Sequence, residues 1–230
     1  MSRQPSRTST EPAFVDRVDA GRRLSEECHA YGGPETLVLA LPRGGVPVGA
    51  EVAAELGGTL DVLIVRKVGL PGQRELAMGA VASGGVQITN RAIVRQSGIR
   101  PEDFDAAARR ELVELERREA RYRGKRPFPT LRNRTVILVD DGLATGATMY
   151  AATEAVRQLG AEQLVVATPV TSRQARQAIQ PHVDDFISLI EPEEFLAVGY
   201  WYADFPQVSD QEVMAILEDW QRPQGRATRG

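Results

Sequence analysis

Two aspartates followed closely by a turn rich in threonine and glycine are the residues best suited to chemistry. They lie in the segment Val136-Ile-Leu-Val-Asp140-Asp141-Gly142-Leu-Ala144-Thr145-Gly146-Ala147-Thr148. Four apolar residues in a row read as a buried parallel strand, and the two carboxylates stand where it leaves the sheet. A helical stretch, Met149 to Leu159, follows. A strand feeding a small-residue turn and a helix N-terminus is an anion site. Free N–H groups converge there, and the helix dipole favours negative charge. Thr145 and Thr148 add hydroxyl donors. Gly146 and Ala147 let a ligand approach the backbone. The acid pair suits vicinal hydroxyls or a metal-bound sugar. A phosphate on one side and a diol on the other fit a ribose 5-phosphate.

Three further segments carry suitable groups. Leu41-Pro42-Arg43-Gly44-Gly45-Val46-Pro47 sits between a strand and a helix, where α/β sheets bind ligands. Its adjacent glycines expose consecutive N–H groups, and Arg43 offers a planar, permanently charged fork. Such a loop suits a pyrophosphate, although Arg-Gly-Gly alone fits a plain tight turn equally well. Arg66 and Lys67 leave a strand into a segment that also holds Arg74; without other support this is as well read as a solvated basic turn. Near the C-terminal end, Phe195 and Val198 precede the aromatic cluster of Trp201, Tyr202 and Phe205. Such clusters form core or interface more often than ligand sites.

The positioning elements alternate. Strands are expected over Thr36–Leu41, Leu60–Val65, Val136–Val139, Leu164–Val170 and Phe186–Ile190. Helices are expected over Phe14–Tyr31, Val46–Leu56, Met149–Leu159, Ser172–Gln180 and Asp210–Trp220. This pattern argues for an α/β fold with a parallel sheet flanked by helices, a Rossmann-like core. Residues 67–78, with Gly69, Pro71, Gly72 and mixed charge, read as an exposed loop. Gly79–Ala82 and Val86–Thr89 read as short strands joined at 83–85. Pro101–Arg123 is the longest helix, with a narrow apolar stripe and balanced Arg and Glu elsewhere. Residues 1–12 read as a disordered tail, 13–222 as a single domain with 86–133 as a strand and helix excursion or hood, and 223–230 as a frayed tail.

Composition narrows the classes. A net charge of -3 gives no bulk attraction to nucleic acid or an anionic membrane. The one cysteine, Cys28, allows no intrachain disulfide, and no Cys/His metal spacing exists. His29 and His182 fall outside every motif and read as structural. No apolar run reaches transmembrane length and no hydrophobic signal core is present, so a cytoplasmic location is expected. Lysine occurs only at Lys67 and Lys125 among 28 basic residues, so Lys67 beside Arg66 at a strand end is a notable placement.

The segment 136–148 resembles the signature of the type I phosphoribosyltransferases: an apolar strand, two acids, a spacer and Thr-Gly-x-Thr. The resemblance extends over roughly residues 36–82 and 134–202. It implies transfer of the 5-phosphoribosyl group from 5-phosphoribosyl 1-diphosphate to a nitrogenous acceptor, such as a nucleobase, with release of pyrophosphate and with Mg²⁺ as cofactor. Ala144, Thr145, Gly146, Ala147 and Thr148 would hold the 5-phosphate. Asp140 and Asp141 would orient the sugar hydroxyls and serve the metal. Arg43, Gly44, Gly45, Arg66, Lys67 and Arg74 would take the pyrophosphate, with Asp140, Asp141, Arg66 and Lys67 as the catalytic set. The family's pyrophosphate loop often carries a non-proline cis peptide before its first glycine, so a cis Arg43–Gly44 bond is expected. The Arg-Lys and Leu-Pro-Gly elements are similar to those of adenine enzymes. Phe195 and Val198 match the base-binding segment of hypoxanthine-guanine enzymes. Those enzymes carry Asp where Ala144 stands, and their residue that reads a 6-oxo group has no match near Arg173. The acceptor therefore stays open, as does a homodimer. The alternative is a regulatory protein that senses the donor or a nucleotide and transfers nothing.

Overall fold

Successive residues of each central strand face opposite layers, as a pleated strand buried on both sides requires. The computed structural model describes residues 12–70 and 73–222. In β1 (Thr36–Ala40), Val38 and Ala40 face one layer, and Leu37 and Leu39 face the other. In β6 (Thr135–Val139), Ile137 and Val139 divide from Val136 and Leu138 in the same way. With β2 (Thr59–Val62), β7 (Gln163–Val170) and β8 (Asp185–Ile190) they form a five-stranded sheet in the order β2-β1-β6-β7-β8, parallel throughout. Helices α1 (Arg17–Glu27) and α2 (Gly45–Glu55) pack on one face. Helices α5 (Ala147–Gln158) and α6 (Arg173–Ile179) pack on the other. This is the α/β fold expected, a parallel sheet flanked by helices. Its order reverses between β1 and β6, so the crevice beyond their C-terminal ends is where a ligand would sit.

A second sheet, antiparallel and in the order β3-β4-β5, stands beside the first. It consists of β3 (Val65–Leu70), β4 (Gln73–Ala82) and β5 (Val86–Thr89). The expected loop over 67–78 is thus largely strand. Its backbone groups pair across the ribbon, Lys67 opposite Ala80 and Val68 opposite Gly79, with bulges on either side of Gly69. Val68, Leu70 and Met78 are buried in the same core as Phe104, Ala107, Ala108 and Leu115 of α4 (Pro101–Arg123). The long helix therefore covers the ribbon. A short helix absent from the sequence reading, α3 (Arg91–Gln96), follows β5; the Asn90 carboxamide oxygen caps it by accepting from the Ile93 amide.

The N-terminal helix begins at Arg17 rather than at Phe14. Asp16 caps it, accepting from the Asp19 amide at 2.8 Å. Phe14 instead pairs as extended chain: its amide donates to the Trp201 carbonyl at 2.9 Å, and its carbonyl accepts from Ala203 at 2.8 Å. The first helix is thereby tied to the C-terminal strap, residues 202–208, that precedes α7 (Asp210–Gln221). The tails read for 1–12 and 223–230 lie outside the described residues, Pro12 aside. No helix among the described residues is long and apolar enough to cross a membrane.

Cys28, at the end of α1, is wholly buried, and burial pushes its thiol up to about 12. An unfolded thiol ionises near pH 8.5, so thiolate is available at that pH only when the chain opens. Iodoacetamide at pH 8.5 is expected to leave the native protein unlabelled and to label it in denaturant, as mass spectrometry would read. Rapid labelling of the native chain would contradict this burial.

Candidate active site at the sheet crossover

Two loops leave adjacent strands and meet. The loop after β1 carries Arg43, Gly44 and Gly45; the loop after β6 carries Asp140 and Asp141. The Leu41 amide donates to the Val139 carbonyl at 2.8 Å, which keeps the two exits side by side. At Gly44 a Cβ would fall 2.0 Å from Asp141 Oδ2, far inside contact distance. Only glycine permits that approach. The non-proline cis peptide lies at Pro42–Arg43, one bond before the expected Arg43–Gly44. By Gly44 the chain has already turned: its φ and ψ are -61° and -33°, and the Gly45 amide donates to the Leu41 carbonyl at 3.1 Å.

The phosphate turn follows at the start of α5. Gly146 has φ +70°, a left-handed conformation that favours glycine, and a Cβ there would also meet Ile179 Cδ1 at 2.9 Å. Ser172 holds the turn from behind. Its hydroxyl donates to the Ala144 carbonyl at 2.5 Å, and its amide donates to the Leu143 carbonyl at 2.8 Å. With carbonyls drawn inward, the amides of Gly146, Thr148 and Met149 have no hydrogen-bond partner among the described residues. Ala144, Thr145, Ala147 and Thr148 are exposed. Unpaired N–H groups at a helix start remain the arrangement for an anion.

The acids differ in their surroundings. Asp140 Oδ1 accepts from the Asp141 amide at 2.9 Å. Burial, and then the Asp141 charge, lifts the Asp140 carboxyl well above its ordinary range. Burial lifts Asp141 as well, while Arg17 pulls it back. Arg17 was missed in the sequence. Its Nε donates to Asp141 Oδ2 at 2.8 Å across 124 positions of chain, a pairing that no local spacing announces. Tyr202, read only as part of an aromatic cluster, donates its hydroxyl to the Asp141 carbonyl at 2.6 Å.

The remaining candidates divide. A cavity of about 520 Å³ is lined by Arg17, Arg43, Gly44, Asp141, Val198 and Phe205, among others. The Arg43 guanidinium makes no hydrogen bond or ion pair among the described residues, although its charge acts on Tyr122 and Asp210. A second cavity of about 710 Å³ runs between the phosphate turn and the antiparallel ribbon; Lys67, Thr145, Gly146 and Ala147 line it. Arg66 turns aside to Glu111 of α4, with contacts of 2.9 and 2.6 Å. Arg74 lies in β4. Phe195 is half-buried and lines neither cavity, whereas Val198 does. His29 and His182 line neither.

An α/β crossover that offers a carboxylate pair, a close glycine contact and an anion-ready helix start is the candidate site of this fold. Comparison with known proteins gives the family. The family described as "Phosphoribosyl transferase domain" matches residues 13–203. The chain belongs to the phosphoribosyl transferase family. The protein named "Putative phosphoribosyl transferase Rv0571c" from Mycobacterium tuberculosis is 43% identical over 205 residues, covering 89% of this chain and 46% of that one. The chain thus spans about half the length of such curated relatives. Among solved structures, TT1426 from Thermus thermophilus is 44% identical with a TM-score of 0.80, over 90% of this chain and 98% of that one.

Proposed function

We propose that the protein transfers a phosphoribosyl group from 5-phosphoribosyl 1-diphosphate to a nitrogenous acceptor and releases pyrophosphate. The observation that carries this reading is the contact of the Gly44 loop with the Asp141 carboxylate, beside a helix start with unpaired amides. The loop 140–147 contributes to the walls of both cavities, so one ligand can lie over it with a phosphate at each end. Residues 144–148 take the 5-phosphate. Asp140 and Asp141 accept from the ribose hydroxyls. Arg43, Gly44, Gly45 and Lys67 take the pyrophosphate; Arg66, which Glu111 holds, and Arg74 belong to the ribbon strands beside Lys67.

The chemistry asked of these groups is mostly positioning and charge compensation. Holding both ends of the donor removes the entropy of encounter. Two desolvated carboxylates are stabilised as positive charge develops on the sugar, and the guanidinium and N–H groups interact more strongly as negative charge grows on the leaving group. Mg²⁺ fits this donor set in one manner. No group of three or more His, Cys, Asp or Glu among the described residues could cage it, but Mg²⁺ retains waters and needs one or two carboxylates beside phosphate oxygens. Asp140, and Asp141 through the oxygen that Arg17 leaves free, would hold it. When bound, it offsets charge on the pyrophosphate.

Gly44→Ala tests the geometry. Forcing a methyl group into that contact is expected to cost roughly 1–3 kcal/mol and to weaken donor binding. Thermal melting and calorimetric titration of the variant would read this, and wild-type donor affinity would contradict it. The reaction is tested by incubating the protein with the donor, Mg²⁺ and a panel of purines, pyrimidines and simple amines, and measuring pyrophosphate. Release with one acceptor supports transfer. Donor binding without release for any acceptor supports the sensing alternative, which draws on the absence of Phe195 from the cavity walls.

A further inference from the structure

We infer that Arg17 is a positioning residue for Asp141, the pin that ties the first helix and the C-terminal strap to the sugar-binding carboxylate. The inference rests on the proposed reading of Asp141 as a ribose contact. Arg17 opens α1, and its side chain is only 9% exposed. Its guanidinium makes three different contacts. Nε donates to Asp141 Oδ2 at 2.8 Å, Nη1 donates to the Pro206 carbonyl at 2.8 Å, and Cζ lies over the Phe205 ring, 3.7 Å from its centroid. Tyr202 also packs on that ring, centroid to centroid 4.8 Å, and its hydroxyl holds the Asp141 carbonyl.

Asp141 is therefore fixed at both ends, by Arg17 at its carboxylate and by Tyr202 at its backbone. Gly44 closes the remaining side of Oδ2. Oδ1 is the oxygen left to face a ligand. The neighbouring charges are Asp140 on the same loop and Arg43 across the cavity. Without Arg17, two desolvated carboxylates stand next to each other with no bonded cation, and Asp141 has no reason to keep one orientation. A lysine cannot replace this contact, since only a planar fork reaches the carboxylate and the carbonyl together while stacking on a ring.

The test is a double-mutant cycle. Arg17→Met, Arg17→Lys, Asp141→Asn and the combined Arg17→Met/Asp141→Asn are titrated calorimetrically with the magnesium salt of 5-phosphoribosyl 1-diphosphate and, separately, with magnesium-free sodium pyrophosphate. Arg23→Met is the control: that arginine is on the same helix but bonds Asp19 and the Ala13 carbonyl. Arg17→Met is expected to weaken donor binding on the order of 10- to 100-fold, the worth of a charged hydrogen bond. Pyrophosphate affinity should hold, Arg17→Lys should show a smaller loss, and the combined variant should lose no more than Asp141→Asn alone. Should Arg17→Met unfold, Arg17→Lys carries the cycle with the same expectation of non-additivity. Wild-type donor affinity in the Arg17 variants, or losses that add in the combined variant, would overturn the inference while leaving the proposed function standing. Failure of the wild-type protein to bind the donor would instead overturn the proposed function itself.

Discussion

Asp141→Asn is expected to lower turnover on the order of 100- to 1,000-fold, about 2–4 kcal/mol of transition-state stabilisation, while the protein stays folded. The expectation follows from where the carboxylate sits. It is desolvated, next to Asp140, and oriented by Arg17 and Tyr202. Burial raises the cost of carrying charge on both acids, and positive charge appearing on the sugar relieves that cost at the moment of transfer. Asparagine keeps the shape and removes the charge. The loss should fall on the rate constant more than on donor affinity, because the charge is used most in the transition state. Steady-state kinetics with the acceptor found in the pyrophosphate screen would measure the split. An unchanged rate would remove Asp141 from the mechanism.

Arg123→Met is the second change with a large expected effect, and it acts on the fold. Arg123 closes α4 with its side chain 2% exposed. Its Nε donates to Asp61 Oδ1 at 2.9 Å, Nη1 donates to Glu119 at 2.7 Å, and Nη2 donates to the Val62 carbonyl. Asp61 and Val62 end β2, from which the chain passes into the antiparallel ribbon. The arginine thus ties the long helix to the base of the ribbon that carries Lys67. Methionine fills similar space but strands Asp61, itself 7% exposed, as a buried charge without its cation. Breaking such a pair from one side costs about 3–5 kcal/mol, a fall in melting temperature of roughly 6–20 °C for a chain of this size. Removing both charges, in Arg123→Met/Asp61→Leu, should recover much of that loss. Thermal denaturation of the two variants decides the matter, and equal melting of Arg123→Met and wild type would contradict the buried pair.

What could be read in the sequence was local. The strand, acid pair and turn of 136–148 are contiguous, so their types and spacing carried the site directly. The parallel sheet followed from strands alternating with helices, and α4 from its stripe between Pro101 and Gly124. The stretch of the ribbon within 67–78 was hidden because its order comes from pairing between β3 and β4 and from packing under α4, while its own Gly and Pro residues signal a loop. Arg17 was hidden for a related reason: it bonds Asp141 and Pro206, partners 124 and 189 positions away. Arg66 is a similar case: beside the pyrophosphate role that its place at a strand end suggests, the fold gives it Glu111, 45 positions away, as an ion-pair partner.

The central claim is that the crossover between β1 and β6 binds an activated ribose phosphate. Isothermal titration of the wild-type protein with 5-phosphoribosyl 1-diphosphate and Mg²⁺ tests it most directly. The account predicts saturable heat that weakens in Gly44→Ala. Absence of heat at millimolar donor, or an identical isotherm from Gly44→Ala, would contradict it.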